Sequence, residues 1–142
     1  MQCAGEVYPD DCYGRLSVNS KSVIIDVRTK AEVQYVGIID VSQIEAKMLF
    51  IEWQTYPTMQ INNNFISEVE TAMLRMEYTK EVEIYCLCRV GARSLNAANL
   101  LAQNGFENCF NILGGFQGHP NEKGQRGHLD GWVARDLPWR HI

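Results

Sequence analysis

Val82-Glu83-Ile84-Tyr85-Cys86-Leu87-Cys88-Arg89-Val90-Gly91-Ala92-Arg93-Ser94 is the stretch on which the reading of the whole chain turns. Its first half is β-rich and apolar, and its second half is a short loop with one glycine and two arginines. Leu95, Ala98, Leu101 and Ala102 then recur at helical spacing until Asn104-Gly105 ends the pattern, and Ser94 stands where an N-cap is expected. Strand, tight loop and helix in that order make half of a crossover unit. An uninterrupted apolar run suits a strand covered on both faces of a parallel sheet.

The same alternation extends outward. Ser22-Val23-Ile24-Ile25-Asp26-Val27 reads as a second buried strand, followed by helical residues over 31–35. Before it, Pro9-Asp10-Asp11 opens a helix leading to Leu16. An apolar stretch over 48–53 precedes the turn signal Tyr56-Pro57, and Asn62-Asn63-Asn64 caps a helix whose face is Phe65, Val69, Ala72, Met73 and Met76. Residues 109–113 form a last strand before Gly114-Gly115. The pattern predicts an α/β fold with a central, mostly parallel sheet and helices on both faces. With no linker or repeat, residues 1–142 read as one domain, with a common core over about 7–116 and a tail, 117–142, that Trp132 and Trp139 pin to the body.

Composition narrows the function. The 142 residues are 46% apolar and 21% charged, enough for a core without disulfides or a structural metal. A net charge of −4 has the wrong sign for nucleic acid or an anionic membrane as partner, yet a few local cations still allow a small anionic ligand. No apolar stretch approaches the roughly 20 residues of a membrane-spanning helix. The start, Met-Gln-Cys-Ala-Gly-Glu, has neither the basic nor the apolar part of a secretory signal, so the expected place is the cytoplasm, with reduced thiols. Cys3, Cys12, Cys86, Cys88 and Cys109 are odd in number and contain no Cys-x-x-Cys pair, which argues against a disulfide framework and a zinc ribbon. His119, His128 and His141 match no common zinc spacing, so no metal site is expected. Cys86 and Cys109 read as core thiols, while Cys3 and Cys12 lie near an end expected to be mobile.

Cys88 differs from the other four. In a parallel sheet, ligands sit beyond the carboxyl ends of the strands, and Cys88 falls between such an end and a helix N-terminus. The loop from Arg89 to Arg93, with Gly91 for backbone freedom, lets successive N–H groups turn inward and favour the thiolate, the nucleophilic form. Arg89 and Arg93 beside a helix N-terminus, where stability alone favours carboxylates, call for an anion. Asp26, at the end of its own strand, is expected on the same rim, paired with one of them.

Ile25-Asp26-Val27-Arg28, then Cys88-Arg89-Val90-Gly91-Ala92-Arg93-Ser94, then Asn111-Ile112-Leu113-Gly114-Gly115-Phe116 together resemble the rhodanese family. Gly124-Gln125-Arg126-Gly127 and Leu137-Pro138-Trp139 are similar to the tails of some bacterial single-domain members. The resemblance implies a rhodanese-like fold and a sulfurtransferase without metal or organic cofactor. Cys88 would take a sulfane sulfur from a small anionic donor such as thiosulfate and, as a persulfide, pass it to a thiol or protein acceptor. It also implies an active-site loop of Arg89, Val90, Gly91, Ala92, Arg93 and Ser94, with the two arginines on the sulfonate or an anionic acceptor, and Asp26 and Arg28 as supports. Two other functions compete: a module that uses the loop only to bind an anion or a protein, and a cysteine phosphatase or arsenate reductase. The last needs Cys-x5-Arg, and here Arg93 comes one place early.

Overall fold

The computed structural model describes residues 2–142. Chain order is β1 (Gly5–Val7), α1 (Pro9–Val18), β2 (Val23–Asp26), α2 (Lys30–Val36), β3 (Ile38–Ile39), β4 (Lys47–Phe50), β5 (Gln54–Thr55), β6 (Gln60–Ile61), α3 (Phe65–Arg75), β7 (Ile84–Leu87), α4 (Ala92–Gln103), β8 (Cys109–Ile112), a 3-10 turn (Val133–Arg135) and β9 (Trp139–Arg140). Five strands form one sheet in the order β1-β8-β7-β2-β4, and every neighbouring pair is parallel. The expected α/β architecture is therefore present. Two short antiparallel ladders, β3 with β9 and β5 with β6, lie outside it.

The side-chain period of a strand divides the core in two. On one face Val23, Ile25, Ile84, Cys86 and Cys88 pack with Val69 and Met73 of α3 and Ala97, Ala98 and Leu101 of α4. On the other, Ile24, Tyr85 and Leu87 pack with Cys12 and Leu16 of α1 and with Phe116 and Trp132. Cys12 thus belongs to the core and not to a mobile end, because α1 lays its apolar side directly on the sheet. Trp132 is fully buried with its indole N–H on the Pro138 carbonyl, and Trp139 packs edge-on against Phe116.

Three local expectations change. Helix α4 begins two residues before Ser94: Gly91, at φ 119°, supplies the turn into it, and Ser94 sits inside the first turn with its side chain buried. The buried face of α4 takes in Ala97, whereas Leu95 is half-buried. The asparagine cluster caps α3 indirectly: the Asn64 side chain makes no cap bond, and the Asn62 side chain accepts from the Asn64 N–H at 3.0 Å.

Candidate active site

The strand order places the site. After β2 the chain moves outward to β4, and after β7 it moves the opposite way to β8, so connections diverge from the carboxyl ends of β2 and β7. Such a switch point leaves a crevice above the sheet. Asp26 and Leu87 are register partners at that edge, the Val27 N–H donates to the Leu87 carbonyl at 2.8 Å, and Cys88 follows.

The Cys88 side chain is buried, and its sulfur lies under the turn that starts α4. The Gly91 N–H donates to Sγ at 3.1 Å, and Ser94 Oγ stands 3.1 Å from it. Among the described residues the N–H groups of Arg89, Val90, Ala92 and Arg93 have no acceptor, as the first turn of a helix leaves its amides free. These are the groups that favour negative charge at a helix N-terminus. The base of the loop is clamped from below: Phe116 N–H donates to the Cys88 carbonyl at 2.8 Å, and the Gln117 and Gly118 N–H groups to the Arg89 carbonyl at 3.1 Å. Gly115 makes this approach possible. At φ 61°, a Cβ there would lie 2.5 Å from the Cys88 carbonyl oxygen.

Ser94 has one hydroxyl proton and two neighbours for it. Asn111 Oδ1 is 2.5 Å away, and the orientation of that amide is fixed because Nδ2 donates to Glu6 Oε2 at 2.8 Å and to the Gly91 carbonyl at 3.1 Å. With a neutral thiol the Ser94 proton belongs to Asn111, and the sulfur donates to Ser94 Oγ. An anionic sulfur is the stronger acceptor of the two, and the hydroxyl can turn toward it.

Arg93 is held by Glu32, not by Asp26: Nη1 and Nη2 meet the two carboxylate oxygens at 2.7 and 2.9 Å. Glu32 also closes the capping box of α2 with Thr29. Burial opposes its charge, but Arg93 and Thr29 outweigh that and keep the carboxyl below its ordinary range; the same pair raises Arg93. The expected partnership of Asp26 with Arg89 or Arg93 is corrected. Asp26 turns back on Arg28, two residues on in its own loop, with Nη2 2.7 Å from Oδ2 and both side chains fully buried. The Arg28 guanidinium also donates to the Gly37 carbonyl at 2.7 Å and lies over the Phe116 ring at 4.4 Å, tying β2, the start of β3 and the chain after Gly115 together beneath the site.

Arg89 is the more open cation. Its Nε donates to Gln117 Oε1 at 3.2 Å, and its two terminal nitrogens have no partner among the described residues. Arg126, anchored by Nη1 on the Gly118 carbonyl at 2.6 Å, stands behind it. Partial burial and the neighbouring Arg126 charge both pull Arg89 below its ordinary value. A cavity of about 710 Å³ opens in front of Arg89 and Arg93. A second one, of about 830 Å³, lies between α2, β4 and α3; neither cavity has a cysteine in its lining.

The remaining thiols are poorly placed for chemistry. Cys86 shares the Cys88 face but is wholly buried, and burial drives its thiol well above the ordinary range. Burial pushes Cys109 up to about 12. Among the described residues no group of His, Cys, Asp and Glu gathers as metal ligands do, and His119 is paired with Asp130 at 2.8 Å. Among the described residues no helix is long and apolar enough to cross a membrane.

Sequence reasoning passed over Glu32, Arg126 and the part played by Asn111. Thr29-x-x-Glu32 carries the capping-box signature right after β2 and was the available signal for Glu32. Arg126 belongs to the Gly124–Gly127 stretch noted in the tail, but nothing in that stretch shows that it reaches the loop, which it does only through the fold of the tail.

Comparison with known proteins agrees with this architecture. The family model described as the STR4 middle domain matches residues 5–141. An uncharacterized protein of Rickettsia rickettsii, the RP600 homolog, is 35% identical over 128 residues, 90% of each chain. The crystal structure of Rv0390 from M. tuberculosis superposes with a TM-score of 0.85 at 36% identity over 99% of both chains. A rhodanese-like domain protein from Staphylococcus aureus shares the fold with a TM-score of 0.52, at 23% identity over 81% of this chain and 87% of that one. The chain belongs to the STR4 middle domain family, and its fold is rhodanese-like.

Proposed function

We propose that this protein is a sulfurtransferase that carries a sulfane sulfur on Cys88 between an anionic donor, such as thiosulfate, and a thiophilic acceptor. The observation that carries the reading is the Cys88 sulfur at the start of α4, with the Gly91 N–H and the Ser94 hydroxyl both 3.1 Å away and unengaged amides around it. The Cys88 thiolate attacks the outer sulfur of the donor. The donor S–S bond breaks, and sulfite leaves with the electron pair. The outer sulfur of the new persulfide bears the negative charge that a preorganised set of donors stabilises without any acid or base at bonding distance. An acceptor nucleophile then attacks that sulfur, and the Cys88 thiolate departs as the leaving group. Arg89, with free terminal nitrogens, meets the sulfonate end, while Arg93, held by Glu32, shapes the rim. Asp26 and Arg28 act from below as supports.

The test is thiosulfate:cyanide transfer by the native chain and by Cys88→Ser. The native chain forms thiocyanate and the variant forms none. Equal activity in both would refute the role of Cys88. Saturable thiosulfate binding without turnover would favour the binding-module alternative instead.

A further inference from the structure

Ser94 and Asn111 connect Cys88 to a charge at the edge of the sheet. Cys86 and Asn111 are register partners between β7 and β8, and Asn111 and Glu6 are register partners between β8 and β1, the edge strand. The alternation of side chains along a strand puts Cys86, Asn111 and Glu6 on the face that carries α4, together with Cys88. Glu6 is exposed, and its carboxylate accepts from Asn111 Nδ2 at 2.8 Å.

That contact decides which way the amide points. Asn111 Nδ2 has a second acceptor, the Gly91 carbonyl at 3.1 Å, but this carbonyl also takes the Leu95 N–H at 3.2 Å and is paired without Asn111. The Glu6 carboxylate has no other hydrogen-bond partner among the described residues. When ionised it only accepts, and its charge makes it the stronger acceptor of the two. A reversed amide would set Oδ1 against the carboxylate.

The orientation has a consequence at the sulfur. Asn111 Oδ1, 2.5 Å from Ser94 Oγ, takes the Ser94 proton while Cys88 is a thiol. When Cys88 ionises, its proton goes to solvent and the Ser94 hydroxyl turns to Sγ, 3.1 Å away. Asn111 is buried, so Oδ1 is then an acceptor without a donor, which is costly. An amide facing Ser94 with Nδ2 would carry no such cost. The other charged or titratable groups near Cys88 are Arg93 of α4, Cys86 of β7 and the Asp26–Arg28 pair after β2, and none of them hydrogen-bonds to the side chain of Ser94 or Asn111.

We infer that Glu6 is a positioning residue for Cys88: through Asn111 and Ser94 it sets how readily that sulfur gives up its proton. The inference rests on the sulfurtransferase reading for the use of the thiolate and adds a residue that regulates its formation.

The test follows the Cys88 thiolate across pH by its ultraviolet absorbance, as the difference between each protein and the same protein carrying Cys88→Ser. Glu6→Lys presents a donor in place of an acceptor, so Asn111 turns its oxygen outward and offers Nδ2 to Ser94. The midpoint is expected to fall by about one pH unit, the roughly tenfold effect of sparing one buried acceptor. Glu6→Gln, of the same shape without the charge, is expected to move it the same way by less. In a Ser94→Ala background, Glu6→Lys is expected to move the midpoint by well under half as much, because only the screened field of the charge remains. An equal shift with and without Ser94, or no shift in Glu6→Lys, would overturn the inference and leave the sulfurtransferase reading intact. The expected shifts with no sulfur taken up by Cys88 from thiosulfate would uphold the role of Glu6 and overturn that reading.

Discussion

Ser94 Oγ stands 2.5 Å from Asn111 Oδ1 and 3.1 Å from Cys88 Sγ, so its single hydroxyl proton has two acceptors within reach, a fixed amide oxygen and the candidate nucleophile. Replacing Ser94 with Ala removes the one side-chain donor next to the sulfur among the described residues. A hydrogen bond to a charged sulfur is worth about 1.5–3 kcal/mol, so sulfur uptake by Ser94→Ala is expected to slow by about tenfold or more. Single-turnover loading with thiosulfate measures it. An unchanged rate would mean that the backbone amides alone suffice.

Gly115 is the second point of control, because the backbone of Cys88 and Arg89 lies where a Cβ would be. Gly115→Ala must open the loop base or break the bond from the Phe116 N–H to the Cys88 carbonyl, and it also places a side chain at φ 61°. The left-handed backbone alone costs about 1–2 kcal/mol. Thermal unfolding should show a lower Tm together with loss of transfer activity. Native activity in this variant would contradict the loop's dependence on that contact.

Glu32 provides a pH signature. Its carboxyl titrates below the ordinary 4.5 in the folded chain, so the unfolded chain takes up the proton first as pH falls. The stabilisation is complete above pH 4.5 and is lost below it, as pH falls through the folded value. The Tm gap between the native chain and Glu32→Gln is therefore expected to be constant near neutrality and to close as pH drops below about 4.5. A gap that widens in acid would reverse the sign of the argument.

The Asp26–Arg28 pair is fully buried, so removing one partner strands the other in the core. Asp26→Ala is expected to cost about 3–5 kcal/mol in chemical denaturation. A change under about 1 kcal/mol would show that the pair does not brace the site.

Much of this site is legible in the chain because it is local. The apolar runs before Asp26 and Cys88, and the glycine followed by helical spacing, fix strand, loop and helix within a few residues of one another. Those residues carry both the candidate nucleophile and the amides around it. Pairings that cross elements were not legible. Asp26 ends β2 and Glu32 follows six residues later in α2, and only the placement of α2 decides which of the two carboxylates reaches Arg93. The N-cap reading of Ser94 failed for a physical reason as well: Gly91 adopts the left-handed turn and starts the helix earlier, which frees Ser94 to face the sulfur.

The account stands on Cys88 as the atom that carries the transferred sulfur. Peptide mass spectrometry of the native chain after incubation with thiosulfate reads this directly, because all five cysteines are free and compete for the same donor. The expected result, with fragmentation between Cys86 and Cys88 locating the mass, is one added sulfur on Cys88 and none on Cys3, Cys12, Cys86 or Cys109, with the label removed by cyanide. Sulfur found on another cysteine while Cys88 stays unmodified would contradict it.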